Sequence, residues 1–202
     1  MRQGKISVIV GLPGVGKSSV IDYAVEKLVK EGLKVKVVNY GTVMLEEALA
    51  RNLVSNRDEI RRLPVSKQME LQRIAAEAIN NYAQENDLVI LDTHLFIKTG
   101  RGRWPGLNQN NLPYLTNIRQ IVLVEATPEE ILERRSKDVS RFRADYGGIE
   151  EISNDLEYNR ILAAALSIFK SCPVYIINNP QGKLEEAGEK LYNLLIEVAR
   201  EE

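Results

Sequence analysis

Apolar positions in this chain fall into short blocks separated by longer stretches with helical spacing. Residues 6–10 form a nearly continuous apolar run that ends on glycine, the pattern of a strand covered on both faces of a parallel sheet. Over 18–31 the apolar residues Val20, Ile21, Ala24, Val25, Leu28 and Val29 recur at helical spacing, and Gly32 supplies a stop, so a helix is predicted there. Apolar runs at 35–38, 87–91, 121–124 and 174–177 predict four further strands. Between the last two, Thr127-Pro128-Glu129-Glu130 opens a helix: a capping hydroxyl, proline in the first turn, and acids near the positive end of the dipole.

Strand and helix alternate throughout. This order predicts a doubly wound α/β fold with five mainly parallel strands flanked by helices, in which ligands gather at the carboxyl ends of the strands. A length of 202 residues fits a single domain, 1–202. The helical excursions at about 43–86 and 128–170 are longer than a crossover needs and leave room for elements that cover a substrate. The Gly-, Asn- and Pro-rich stretch 99–113 reads as a long loop, a length that favours function or disorder.

Charge narrows the partners. Lys+Arg 27 against Asp+Glu 28 gives a net charge of −1, which argues against nucleic acid as a partner and makes any anion site local. The first apolar run is far too short for a signal sequence or a membrane span, so the expectation is a soluble, intracellular protein with no membrane partner. The single cysteine, Cys172, precedes Pro173 among apolar neighbours and reads as a small core residue rather than a nucleophile.

Candidate chemistry begins where the first strand ends. Gly11-Leu12-Pro13-Gly14-Val15-Gly16-Lys17-Ser18 matches the phosphate-binding P-loop, and it lies between a predicted strand and a predicted helix as that motif requires. Gly11, Gly14 and Gly16 let the backbone turn its N–H groups inward at a helix N-terminus. Lys17 is expected to reach the β- and γ-phosphates of ATP, and the Ser18 hydroxyl to ligate Mg²⁺. Ser19 is either a second hydroxyl near the phosphates or a residue of the first helical turn. Asp92 ends the apolar run 88–91 in a carboxylate, the form of an acid that holds Mg²⁺ through water; the alternative is a cap on the next turn. His94, the only histidine, either acts near the metal or positions a loop.

Arginine placement supplies a direction. Spacings of four and seven set Arg134, Asp138 and Arg141 on one helical face, with Arg143 close by, the material of a phosphate clamp or, for any single arginine, of a solvated salt-bridge ladder. Arg57-Asp58-Glu59-Ile60-Arg61-Arg62 is a second charged stretch, read as an exposed helix face or as a basic flap over a second phosphorylated molecule. Tyr40-Gly41-Thr42 upstream offers a glycine for close approach and a hydroxyl for a phosphate, or a plain turn.

With these motifs in hand, the whole chain resembles the archaeal-type adenylate kinases. The resemblance rests on the P-loop, on Asn39-Tyr40-Gly41-Thr42-Val43-Met44, on Arg57-Asp58-Glu59-Ile60-Arg61, on Leu91-Asp92-Thr93-His94 followed by Ile97-Lys98-Thr99, on Pro105-Gly106-Leu107, and on the Arg134-Arg135 helix. It implies MgATP + AMP ⇌ 2 ADP, an AMP-covering segment at about 40–86 and a short lid at about 134–150. By the same resemblance, residues 11–19 bind ATP; Gly41, Thr42, Arg57 and Lys98 lie toward AMP; Lys17, Arg134, Arg141 and Arg143 act on the transferring group. A homotrimer in the cytoplasm is also implied. Bacterial and eukaryotic adenylate kinases carry Asp-Gly-Phe-Pro-Arg where this chain has Asp92-Thr93-His94-Leu95, so the arginine of that motif has no counterpart here, and Lys98, Arg101 and Arg103 are the open substitutes.

Two rivals stand beside this reading: a kinase for another small acceptor (CMP, shikimate or gluconate) and a nucleotide-dependent switch or assembly ATPase. Asn178-Asn179-Pro180-Gln181 at the last strand's end is not the Asn-Lys-x-Asp of a guanine-reading switch. Asn178 and Pro180 there line an adenine pocket or form a turn.

Overall fold

The computed structural model describes residues 4–60, 62–99, 102–137 and 147–201. The first run forms β1, Lys5–Val10, buried along its whole length. It leads through the glycine loop into α1, Lys17–Lys30, and then into β2, Val35–Asn39. An excursion of three helices follows: α2, Tyr40–Ala50, the short α3, Arg57–Ile60, and α4, Val65–Glu85. After β3, Leu88–Thr93, come two short strands, β4, Phe96–Thr99, and β5, Gly102–Pro105, and a 3₁₀ turn at Leu112–Tyr114. The chain ends with β6, Ile118–Glu125, α5, Pro128–Lys137, α6, Ile149–Lys170, β7, Val174–Asn178, and α7, Leu184–Arg200.

The five long strands form one parallel sheet in the order β2-β3-β1-β6-β7. Period-2 alternation splits their side chains between two cores. Ile9, Leu88, Ile90 and Val122 face the helices α1 and α7, whereas Ile6, Val8, Val10, Val89, Leu91 and Leu123 face α2, α4 and α6. A third, small cluster of Ala48, Val54, Ile60 and Leu71 belongs to the excursion alone. Cys172 is buried as expected, and burial pushes its thiol up.

Part of the stretch that reads as a loop is instead an antiparallel hairpin, with Ile97 opposite Trp104 and Lys98 opposite Arg103. Four residues per strand are too few for the alternation to stand out beside so many Gly, Asn and Pro. Residues 138–146, which hold most of the expected lid with Asp138, Arg141 and Arg143, lie outside the described residues, as do Arg61 and Arg101.

Candidate active site

Three strand ends meet at the glycine loop. Gly14 and Gly16 have φ of 96° and 82°, values that only glycine adopts freely. At Gly11 a Cβ would stand 2.6 Å from the Val124 carbonyl oxygen, so the loop passes against β6 without room for a side chain. Leu12 and Val15 turn their side chains into the α1–α7 core and anchor the loop. Gly16 is the N-cap of α1 and offers no side-chain cap, which leaves the first N–H groups of that helix for an anion. Ser18 and Ser19 lie exposed in the first turn.

The carbonyls on the loop's other side are held. Arg135 Nε donates to Pro13 O at 2.7 Å, Asn179 Nδ2 to Val15 O at 2.8 Å, and Arg134 Nη1 to the same oxygen at 3.2 Å. Arg134 also reaches Asn179 O at 2.9 Å and Gln181 Oε1 at 3.4 Å.

Lys17 is buried. It donates to Thr93 O at 2.7 Å and pairs with Asp92. Burial pulls the Lys17 ammonium below the usual lysine range, and the negative charge of Asp92 works in the opposite direction. Asn39 Nδ2 donates to the other Asp92 oxygen at 3.3 Å. His94 Nδ1 lies 3.1 Å from Gly11 O, so the histidine touches the start of the loop. Near the cradle, Arg160 from α6 makes a forked bond to the buried Glu125 at the end of β6, with contacts of 2.6–3.2 Å, and that carboxylate raises the guanidinium's pKa.

Beside Asp92 the chain starts its excursion. Asn39 caps α2 with its side-chain oxygen, accepting from Thr42 N at 3.2 Å and Thr42 Oγ1 at 3.3 Å. Arg57 Nη2 stands 3.5 Å from Thr42 Oγ1, and a Cβ on Gly41 would be 2.9 Å from the same nitrogen. Gly41, Thr42 and Arg57 therefore come together, next to the Lys17–Asp92 pair. The contacts of Lys98 run elsewhere: its ammonium meets Glu151 at 2.5 Å and the buried Asp155 at 2.6 Å on α6. Arg103 shares Asp155 at 2.8 Å and stacks near Tyr158, which pins the hairpin to α6.

Several residues of this site carry no role in the sequence analysis, among them Asn39, Asn179 and the Glu125–Arg160 pair. Asn39 had a usable signal, an Asn three places before Thr42 at a helix start. Asn179 had none, since its partner lies 164 residues away.

A parallel sheet with a glycine cradle, a buried lysine and an adjacent carboxylate at its carboxyl edge defines a P-loop phosphotransferase. A family model described as AAA domain matches residues 10–153. The chain is 42% identical over 193 residues to an adenylate kinase of Methanocaldococcus jannaschii, covering 96% of this chain and 99% of that protein. It is 45% identical over 184 residues to an adenylate kinase of Methanopyrus kandleri, covering 91% and 94%. Its fold matches a shikimate kinase from Acinetobacter baumannii with a TM-score of 0.59 at 14% identity, over 98% of this chain and 96% of that one. The chain belongs to the adenylate kinase family and is a nucleoside monophosphate kinase.

Proposed function

We propose that the glycine loop is the ATP cradle and that the segment from Asn39 through α4 holds AMP, so that the γ-phosphoryl group passes between them to give two ADP. One observation carries this reading: the single side chain of Asn39 bonds both Asp92, beside Lys17, and Thr42, at the start of the second segment. Donor and acceptor groups thus share one hydrogen-bonded junction.

In this reading the backbone of 11–16 and the first turn of α1, with Ser18 and Ser19, take the ATP phosphates. Lys17 leaves Thr93 O and Asp92 to follow the transferring group. The exchange is favoured because phosphate oxygens offer a buried ammonium more charge than one shared carboxylate. Gly41, Thr42 and Arg57 receive the AMP phosphate: the glycine permits close approach, the hydroxyl and guanidinium donate. Arg134 at the cradle wall, with Arg141 and Arg143, supplies charge from the lid side. Lys98 completes the acceptor side only by exchanging its α6 carboxylates for substrate. No protein nucleophile is needed, because in-line transfer is governed by positioning and charge.

The Ser18 hydroxyl, directly, and the Asp92 carboxylate, through water, are hard oxygen donors of the kind Mg²⁺ takes, and they would hold that ion. It would supply positive charge that offsets the charge of the donor phosphates. The family resemblance supports a single kinase domain over 1–202 with a cytoplasmic location and a homotrimeric assembly; no helix among the described residues is long and apolar enough to cross a membrane. Light scattering on the eluting protein would show three times 22.8 kDa.

An acceptor panel tests the central assignment. With MgATP, ADP is expected to form fastest with AMP; faster formation with CMP or shikimate would overturn the acceptor, and slow hydrolysis indifferent to every acceptor would favour a nucleotide switch.

A further inference from the structure

Asn179 follows β7, is 5% exposed, and lies outside every group assigned above. Its backbone is fixed at both ends: the N–H donates to Glu125 O at 2.7 Å and the carbonyl accepts from Arg134 Nη2 at 2.9 Å. Its side chain reaches back across the sheet edge to Val15 O at 2.8 Å, a fully buried bond. The approach is close enough that a Cβ on Gly16 would lie 2.5 Å from Nδ2. Glycine at 16 therefore serves two needs, the positive φ and the space this amide occupies.

From this geometry we infer that Asn179 is a positioning residue for ATP, acting through the Val15–Gly16 peptide. In a trans peptide the C=O and the following N–H point to opposite sides. Holding Val15 O against Asn179 therefore aims the Gly16 N–H the other way, into the cradle. Arg135 does the same for the Gly14 N–H by holding Pro13 O. The two donors on Val15 O differ in kind. Arg134 carries a charge that a phosphate can draw away, whereas Asn179 is neutral, buried and tied by its own backbone. The amide thus keeps the peptide oriented when the guanidinium turns to substrate. This inference rests on the reading of the loop as the ATP cradle.

The test uses Asn179→Asp, which keeps the shape and turns the donor into an acceptor once ionised. At pH 8 the carboxylate faces a carbonyl oxygen, so KM for ATP rises about tenfold relative to wild type, while kcat and KM for AMP stay within about twofold. Asn179→Ala removes the same donor without adding a charge, and it too raises KM for ATP while kcat and KM for AMP stay within about twofold. Thermal melts confirm that the compared variants are folded; should the Asp substitution prevent folding, the rise in the Ala variant alone carries the test. An unchanged KM for ATP in the folded variants, or a fall in kcat with KM intact, would overturn the inference. A wild-type chain that failed to bind ATP would overturn the cradle reading itself, a separate result.

Discussion

The glycine loop, proposed to cradle ATP, and the segment proposed to hold AMP sit side by side but are held in different ways. The glycine loop is tied to the main core by Leu12 and Val15, and its outer carbonyls are clamped by Arg134, Arg135 and Asn179 at 2.7–3.2 Å. The helices α2, α3 and α4 share a small cluster of their own, and Arg57 reaches Thr42 only at 3.5 Å on an exposed face. On the proposed reading, the protein's own bonds already orient the cradle and leave little ordering cost for ATP to meet. The proposed acceptor groups are gathered but not locked, which would leave the final geometry to the acceptor and to closure over it. Asn39 is the hinge point of the contrast, because it belongs to both sides.

Removing the donor charge has the largest expected effect. Lys17→Met deletes the buried ammonium proposed to follow the transferring group, and kcat is expected to fall about 10³-fold, the scale of losing one positioned charge-stabilising donor. Coupled assay of ADP formation at saturating ATP and AMP measures it; near-normal transfer would remove Lys17 from the chemistry. Arg57→Ala comes next. A guanidinium bond to phosphate contributes about 1.5–3 kcal/mol, so KM for AMP should rise roughly ten- to hundredfold with KM for ATP unchanged. An equal rise in both constants would show that the two halves are not separately built.

The two glycines probe rigidity directly. At Gly11 an added Cβ meets backbone, Val124 O at 2.6 Å, while at Gly41 it meets the far end of a long side chain, Arg57 Nη2 at 2.9 Å. Gly11→Ala must shift the loop against β6, an overpacking cost of about 1–3 kcal/mol, and about a tenfold rise in KM for ATP is expected. Gly41→Ala only displaces a flexible guanidinium, and KM for AMP should rise about threefold. Steady-state kinetics of the two variants decides it: a larger penalty at Gly41 than at Gly11 would reverse the contrast.

Much of the donor side was legible because its determinants are local. Glycines at 14 and 16 carry their own backbone requirement, and Thr127 with Glu130 reads as a helix start that the structure realises as a reciprocal cap, Thr127 N to Glu130 Oε2 at 3.0 Å and Glu130 N to Thr127 Oγ1 at 3.3 Å. The five strands were visible as apolar runs that stopped short at one or both ends, where polar residues such as Asn39, Thr93 and Glu125 continue the ladder; the third was also begun one residue early, at Asp87. Apart from the short hairpin and the Asn39 cap, what escaped depends on distant partners. The bond from Asn179 to Val15, and the burial of Asp155 under Lys98 and Arg103, join residues far apart in sequence, and no spacing rule encodes them.

The smallest effect lies at the rim of the donor side, where the loop after β7 is tied to α5 through Glu130. Its carboxylate accepts from Gln181 N at 2.6 Å and from Thr127 N, and these two backbone donors, Gln181 first, hold it below the usual carboxylate range. A carboxyl whose folded pKa is depressed releases its proton earlier in the folded state. Between the folded and unfolded values the unfolded chain binds more protons, so stability rises with pH through that window. The contribution is full above the unfolded glutamate range and is lost as pH falls through the folded value. The site is partly exposed, and solvent screening limits the gain to about 0.5 kcal/mol. Urea unfolding of wild type and Glu130→Gln should therefore differ by about that amount at pH 7 and converge as the pH falls below the ordinary glutamate range. A difference of several kcal/mol at pH 7 would mean that the rim is held as firmly as the cradle, and the contrast would then lie between the two nucleotide sides alone, with no gradient inside the donor half.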